Sequence, residues 1–278
     1  MTTATIDSTV DATVNTRAYT LTDSATMLRR NLKHILRYPS MTVLLIGMPI
    51  VFLLLFVYVF GGALGAGLGG LSGGRAAYIA YVVPGILLLT VGATAQGTAI
   101  SVAMDMTEGI IARFRTMAIA RASVLTGHVL GAVIQTILCV TVVTGVSLLI
   151  GFRPTAGPLD WLAVLGVVVM IGFALTWLSV ALGLVSKSVE AASNLPMFMI
   201  LLPFLGSGFV PTSSMPTVLR WFAEYQPFTP ITETLRGLLL GTPIGNSAII
   251  SIGWCAAISL LSYLWARKLY DQPRHVTA

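Results

Sequence analysis

The sequence predicts an all-α, polytopic membrane protein, and three observations support that fold class. Only 9% of the 278 residues are charged and 56% are hydrophobic, whereas soluble proteins carry about 25% charged residues. The mean hydropathy is +0.89. Six separate runs are apolar over the roughly 20 residues that a helix needs to cross a bilayer. This composition argues against a soluble enzyme and against a nucleic-acid-binding domain.

The six predicted spans alternate with polar or glycine-rich connections. Pro196 and Pro203 should kink the fifth span, because proline removes a helical N–H and clashes with the preceding turn. The glycine-rich stretch between the first two spans predicts a flexible linker. The predicted spans cover 41–60, 78–103, 128–150, 161–185, 192–210 and 247–266.

The distribution of Lys and Arg predicts that both termini lie in the cytoplasm. With the N-terminus inside, 12 of the 16 cations fall in cytoplasmic segments, as the positive-inside rule requires. Residues 1–17 are rich in Thr, Ala and Asp and predict a mobile cytoplasmic tail, and 271–278 form a second one. The four cations left outside are Arg75, Arg153, Arg220 and Arg236.

Residues 18–40 predict an amphipathic helix that lies in the membrane interface. Its apolar side chains fall within about 100° of the helix circumference, and the basic ones occupy an adjoining arc. Two roles stay open: an anchor that orients the first span, or a docking element for a cytoplasmic partner. The apolar set is Leu21, Ala25, Leu28, Leu32, Ile35 and Leu36, and the basic set is Arg29, Arg30, Lys33 and Arg37.

The segment 211–243 carries four charges and predicts an extracytoplasmic helical hairpin between spans five and six. A span here is disfavoured because an Arg at its centre costs about 2.5–3.5 kcal/mol. Pro216 opens a first short helix that ends near Tyr225. Thr229 and Pro230 open a second that ends near Gly241.

A stripe of hydroxyl side chains follows one face of the second span at helical spacing. It either lines a translocation path or packs against a neighbouring helix, and both alternatives stay open. No predicted span has a charge at its centre, which argues against a proton or ion relay and favours an amphiphilic or apolar cargo. The stripe consists of Thr90, Thr94, Thr98 and Ser101.

The sequence predicts no catalytic, cofactor or metal site in this chain. None of the three lysines follows a glycine, so the chain has no Walker A motif. Its three histidines are scattered, without metal-ligand spacing.

Residues 27–270 resemble the membrane domains of type-2 ABC exporters, in particular the daunorubicin-resistance-like permeases of actinobacteria. The most specific region runs from SVEAASNLP to ITETLRGLL. The segment RRNLKHILRYPS is similar to that family's connecting helix, and residues after the second span lie where the family has its coupling loop. The matching positions are Glu190, Ser207, Gly208, Phe209, Pro211, Met215, Pro216, Pro227, Thr229 and Arg236.

This resemblance implies a permease subunit of an ATP-driven exporter in the bacterial cytoplasmic membrane. It implies two separate ATPase subunits that bind ATP and Mg, and a second permease copy or a paralogue. It also implies export of a hydrophobic or amphiphilic substrate. Glu190, in the short loop between the fourth and fifth spans, is either structural, holding Lys187 nearby, or faces the ATPase. The rival interpretations are a self-contained secondary transporter or channel, and a scaffold without transport activity. The implied coupling residues are Arg29, Arg30, Lys33, Glu108, Gly109, Arg113, Phe114 and Arg115.

Overall fold

The computed structural model describes residues 39–69, 74–107 and 121–271. These residues form helices and connecting turns without a strand, which confirms the all-α class for this part of the chain. The tail 1–17, residues 18–38 of the predicted interfacial helix and residues 272–278 lie outside the described residues.

Ten α-helices follow one another along the described residues. Between the helices Pro39–Leu54 and Gly61–Gly69 the chain continues through a π-helical segment, Leu55–Phe60. Short 3₁₀ turns at Leu202–Leu205 and Thr212–Ser214 follow the helix Met197–Leu201. The helices are α1 (Pro39–Leu54), α2 (Gly61–Gly69), α3 (Arg75–Thr107), α4 (Arg121–Leu149), α5 (Pro158–Val185), α6 (Val189–Asn194), α7 (Met197–Leu201), α8 (Thr217–Tyr225), α9 (Phe228–Leu240) and α10 (Ser247–Asp271).

Five stretches of helix in the described residues are long and apolar enough to cross a membrane. They are Thr42–Ala66, Arg75–Thr107, Leu125–Leu149, Pro158–Val185 and Ser247–Leu269. Each contains, or nearly contains, one predicted span, because long apolar runs form helices whose backbone hydrogen bonds need no water.

The sequence predicts a fifth span over 192–210, but the structure has no single long helix there. The apolar segment Val189–Leu205 is divided into α6, α7 and a 3₁₀ turn. Pro196 lacks the N–H that would continue α6, and Pro203 lies inside the 3₁₀ turn. At 1.5 Å per residue, this segment is about 25 Å long, less than the roughly 30 Å hydrocarbon core. We call it the broken segment.

The expected glycine linker is also corrected by the structure. Residues 61–69 continue the first helix as α2 rather than forming a loose connection. Gly65 lies against the backbone of Gly74 so closely that a Cβ would overlap it. The Gly74 N–H donates to the Gly65 carbonyl at 3.1 Å. Here the glycines allow two backbones to approach closely. The number of glycines in the sequence does not distinguish this role from that of a flexible linker.

Helix α3 forms the centre of the bundle, and most of its residues are buried. It packs against α4, α5, α9 and the broken segment. At one end, a core cluster joins Val102 of α3, Leu125 of α4, Leu184 of α5 and Ala266 of α10. We call this the inner end, following the predicted orientation, and the opposite end, where α9 packs, the outer end.

Two helices lie where the sequence predicts the hairpin. Pro216 caps α8, which ends at Tyr225 as expected, whereas α9 begins one residue before Thr229. Gly241 ends α9 in the left-handed conformation (φ 68°), which glycine adopts without a steric penalty. Nine residues of α9 are buried against its neighbours, so this helix belongs to the core rather than to an exposed loop. Its location outside the membrane stays a prediction.

Candidate functional site

The implied coupling residues lie outside the described residues. They are Arg29, Arg30, Lys33, Glu108, Gly109, Arg113, Phe114 and Arg115. The structure does place the two helix ends that flank the second group: α3 ends at Thr107 and α4 begins at Arg121. Both belong to the inner end, beside the apolar cluster.

The hydroxyl stripe of α3 is buried inside the protomer. Thr90 and Thr98 donate to carbonyls one turn back in their own helix, at 2.8 and 3.2 Å. The hydroxyl oxygens of Thr94 and Thr136 lie 2.8 Å apart, which links α3 to α4. Ser101 is half-buried. These contacts are of the kind that the packing alternative requires, and the role in a translocation path stays a prediction.

The broken segment and the turn that follows it run close to α3 because glycines remove the side chains between them. A Cβ on Gly85 would lie 2.5 Å from the Gly208 carbonyl oxygen, and one on Gly92 would lie 2.8 Å from the Met199 carbonyl oxygen. Further toward the inner end, the Gln96 side-chain amide donates to the Ser193 carbonyl at 2.6 Å. The broken segment is therefore held against α3 along most of its length.

Arg236 of α9 joins three elements at the outer end. Its Nη2 donates to the Ser207 carbonyl at 2.7 Å and to the Tyr81 carbonyl at 3.2 Å. Its guanidinium carbon lies 3.9 Å from the centre of the Tyr81 ring, a cation–π arrangement. Burial lowers the pKa of Arg236, while the nearby Tyr81 and Glu233 oppose that change. The guanidinium stays charged, because arginine does not lose its proton in proteins.

The other predicted hairpin residues surround the turn that follows the broken segment. Thr229 is buried, and its hydroxyl oxygen accepts a hydrogen bond from the Ser207 N–H at 3.2 Å. Pro211 and Pro227 are half-buried, and Pro216 is exposed. Three buried polar atoms of this region have no protein partner: Ser207 Oγ, Gln226 Oε1 and Arg236 Nε. Such atoms in native proteins are usually satisfied by ordered water.

An aromatic cluster covers the same turn on its other side. The rings of Phe204 and Phe209 stack with their centres 4.2 Å apart, and Phe56 lies 4.7 Å from Phe209. Phe56 belongs to the π-helical segment, whose wider turn changes the direction in which its side chains project. The Tyr78 hydroxyl donates to the Phe209 carbonyl at 3.3 Å. An apolar groove of about 200 Å³ opens beside it, lined by Ala63, Leu64, Tyr78, Phe209, Val210, Pro211 and Ser214.

A buried Asp–His pair was missed by the sequence interpretation. Asp105 Oδ2 and His128 Nε2 lie 3.1 Å apart at the inner end, and the residues are only 8% and 7% exposed. Asp105 lies two residues beyond the predicted second span and His128 begins the third. Consecutive spans run in opposite directions, so the end of the second span and the start of the third lie at the same depth. The positions of Asp105 and His128 at these two ends were the sequence signal that could have predicted their contact.

The comparisons with known proteins settle the family. Residues 23–240 match a family model described as the ABC-2 type transporter. The chain belongs to this family. The match includes the broken segment, α8 and α9, so the predicted resemblance is confirmed over most of the length for which it was expected.

Two relatives of this ABC-2 type protein are described as drug-resistance permeases. The daunorubicin resistance ABC transporter permease protein DrrB1 of Streptomyces coeruleorubidus is 27% identical over 251 residues, 88% of this chain and 86% of that protein. The probable doxorubicin resistance ABC transporter permease protein DrrC of Mycobacterium tuberculosis is 26% identical over 177 residues, 63% of this chain and 64% of that protein. The ABC-2 type protein is thus a multi-pass membrane permease related to both.

Proposed function

We propose that this permease is the membrane subunit of an ATP-driven exporter, energised by separate ATPase subunits. The observation that carries the proposal is the family match over residues 23–240. The absence of any Gly-Lys pair in the chain is consistent with the phosphate-binding loop being on another polypeptide. On this proposal ATP and Mg are bound by the partner and not by this chain.

The proposed contacts with the ATPases lie at the inner end. The proposed segments are the interfacial helix, with Arg29, Arg30 and Lys33, and the loop with Glu108, Gly109, Arg113, Phe114 and Arg115, and both carry a net positive charge. We assign two ATPase subunits to the complex, one for each of two permease domains. Both termini are proposed to be cytoplasmic, in a bacterial cytoplasmic membrane.

The broken segment supports the presence of a second permease domain. Irregular backbone at membrane depth is tolerated only where it is buried in protein or lines a water-filled cavity. Yet residues at both interruptions of this segment are exposed in the single chain, Leu195 at the first and Leu205 at the second. A second copy or a paralogue packed here would shelter these breaks and leave a path between the two domains.

The proposed substrate is a hydrophobic or amphiphilic compound. The centres of the five long helices carry no charged side chain in the described residues, so they offer little to stabilise an ion. The two relatives are named for resistance to daunorubicin and doxorubicin. Both compounds are therefore suitable probes for this chain.

Daunorubicin uptake into inverted vesicles tests the proposal. The permease is co-expressed with a candidate ABC ATPase subunit, and uptake is measured with ATP, without ATP and with a proton ionophore. We expect uptake that requires ATP and the ATPase, and that withstands the ionophore. Uptake that needs a proton gradient but no ATPase would favour a secondary transporter. If the ATPase also fails to co-purify, the exporter assignment is contradicted.

A further inference from the structure

The buried Asp105–His128 pair connects the inner ends of α3 and α4. The distance of 3.1 Å between Asp105 Oδ2 and His128 Nε2 is that of a hydrogen bond, with the imidazole N–H donating to the carboxylate. The two residues are 23 positions apart in sequence. They lie on the two helices that lead into and out of residues 108–120.

Apolar side chains pack beside this pair at the inner end. Val102 precedes Asp105 by one turn, and Leu125 and Val129 flank His128, all in the inner core cluster with Trp177 of α5. A buried polar or charged pair in such a place contributes little net stability, because desolvation offsets the attraction, and an apolar pair of similar volume often packs as well. Stability alone therefore does not explain a carboxylate and an imidazole at this position.

The geometry offers a different explanation, because the strength of a hydrogen bond depends on distance and angle. Apolar packing allows two helices to slide or rotate by small amounts, whereas a hydrogen bond to a charged group is lost within a few tenths of an ångström and a modest change of angle. Deeper in the bundle, Thr94 and Thr136 connect the same two helices. Two polar links therefore join this helix pair, and of these two only the Asp105–His128 link lies at the inner end, where it restricts the register and rotation of the two helix ends.

We propose that Asp105 and His128 are a positioning pair that makes the inner ends of α3 and α4 move as one body when the ATPases act. Without the pair, movement of residues 108–120 displaces one helix end relative to the other. Less of that movement then reaches the rest of the two helices. ATP hydrolysis then continues with less export. This inference rests on the proposed exporter function.

The test compares two substitutions at the same position. In His128→Gln the amide keeps an N–H donor at a reach similar to that of Nε2, whereas His128→Leu removes the donor and keeps an apolar side chain. His128→Asn, with an amide too short to reach Asp105, replaces the leucine variant if that protein does not accumulate. Thr136→Val is the matched control, because it removes the other polar link between the same helices far from their inner ends.

The measurement is daunorubicin exported per ATP hydrolysed, in proteoliposomes that contain the permease and its ATPase. We expect His128→Leu to bind the ATPase and hydrolyse ATP, but to export about ten-fold less per ATP, as loss of a charge-assisted hydrogen bond allows. His128→Gln should stay within about two-fold of the wild type, since it keeps the donor. Thr136→Val should leave the ratio unchanged.

Three results have distinct meanings. An unchanged ratio in His128→Leu overturns the inference. An equal loss in Thr136→Val also overturns it, because the effect would then be general helix packing. A wild-type complex that neither binds an ATPase nor exports daunorubicin contradicts the proposed function and, with it, the positioning role.

Discussion

At the residue scale, Arg236 holds together parts of the chain that are far apart in sequence. Its hydrogen bonds reach Tyr81, 155 residues away, and Ser207, 29 residues away. The planar guanidinium can stack on a ring and donate to two carbonyls at once, which an ammonium group does less well. Arg236 therefore stabilises the outer end through its shape as well as its charge.

Replacing Arg236 should destabilise the permease. In Arg236→Gln the Ser207 and Tyr81 carbonyls lose a charged donor, at a cost of about 1–3 kcal/mol. We expect a lower melting temperature in detergent, followed by fluorescence-detected size-exclusion chromatography after heating. Arg236→Lys should recover only part of the loss, because lysine cannot reproduce the stacked fork.

Arg220→Gln is the matched control for that experiment. Arg220 lies on α8 of the same hairpin and pairs with Glu224 at 2.8 Å, but both side chains are largely exposed. Exposed pairs contribute about 0–1 kcal/mol. A melting temperature that falls as far in Arg220→Gln as in Arg236→Gln would show that the buried contacts of Arg236 contribute no more stability than an exposed ion pair.

The contacts of some residues are easier to predict from the local sequence than those of others. Thr229 and Arg236 belong to a recognisable motif, and both contact the turn at Ser207. Asp105 and His128 belong to no such motif and were assigned no contact. Their pairing depends on the alignment of two helices in space, which periodicity within either helix does not specify.

At the scale of elements, the contact between α3 and the turn after the broken segment depends on glycine. Gly85 and Gly208 allow the backbones to meet, so the outer end of α3 packs against a turn rather than against side chains. This approach lets the turn after Phe204 be covered by α3 on one side and by the aromatic cluster on the other. A larger residue at either position must separate the two elements.

Gly85→Ala should therefore reduce stability, although alanine normally favours helices over glycine. The new Cβ would lie 2.5 Å from the Gly208 carbonyl oxygen, so the turn must move. Overpacking of this kind costs about 1–3 kcal/mol. We expect this loss to appear as a lower melting temperature in the thermal assay used for Arg236.

Gly166→Ala on α5 provides the comparison, because nothing lies within 4 Å of its Cβ position. There alanine should be neutral or should stabilise the helix by about 0.5–1 kcal/mol. Equal losses in both variants would mean that close approach at Gly85 is not the cause.

The loop between α3 and α4 is the element whose proposed role depends most on sequence. Phe114→Ala combined with Arg115→Glu removes an apolar side chain and reverses a charge at the proposed ATPase contact. We expect the ATPase to co-purify less well and ATP-dependent daunorubicin uptake to fall at least about ten-fold, since reversed charges oppose association. Unchanged coupled transport would contradict the assignment of this loop to the ATPase contact.

At the scale of the whole molecule, the single chain presents breaks in its backbone that a membrane does not tolerate in contact with lipid. The apolar residues beside them are exposed in the protomer, including Leu195, Phe198 and Leu205. The long helices need no such cover, because their backbone groups are satisfied within each helix. The assembly interface is accordingly expected along the broken segment.

A cysteine at position 198 tests that arrangement. In a background with Cys139 and Cys255 replaced, Phe198→Cys should cross-link two permease domains through a short bis-maleimide in native membranes. Leu162→Cys, on the exposed face of α5, should give only monomer. A product with a different permease would identify a paralogue as the second domain. Cross-linking at 162 but not at 198 would place the interface elsewhere.

The fold class of this protein, most of its long helices and the approximate position of its hairpin follow from the amino-acid sequence. These properties depend on local composition, because transfer of about 20 apolar residues into a bilayer and local proline and glycine signals act within one segment. The family was also recognisable from residues close together in the chain.

Which residues contact one another across the bundle follows from tertiary packing. The burial of the threonine stripe, the Arg236 contacts and the Asp105–His128 pair all depend on how helices approach one another. Such contacts join positions between 23 and 155 residues apart. Local periodicity carries no information on these distances, because the same apolar face packs equally well against several partners in a lipid environment.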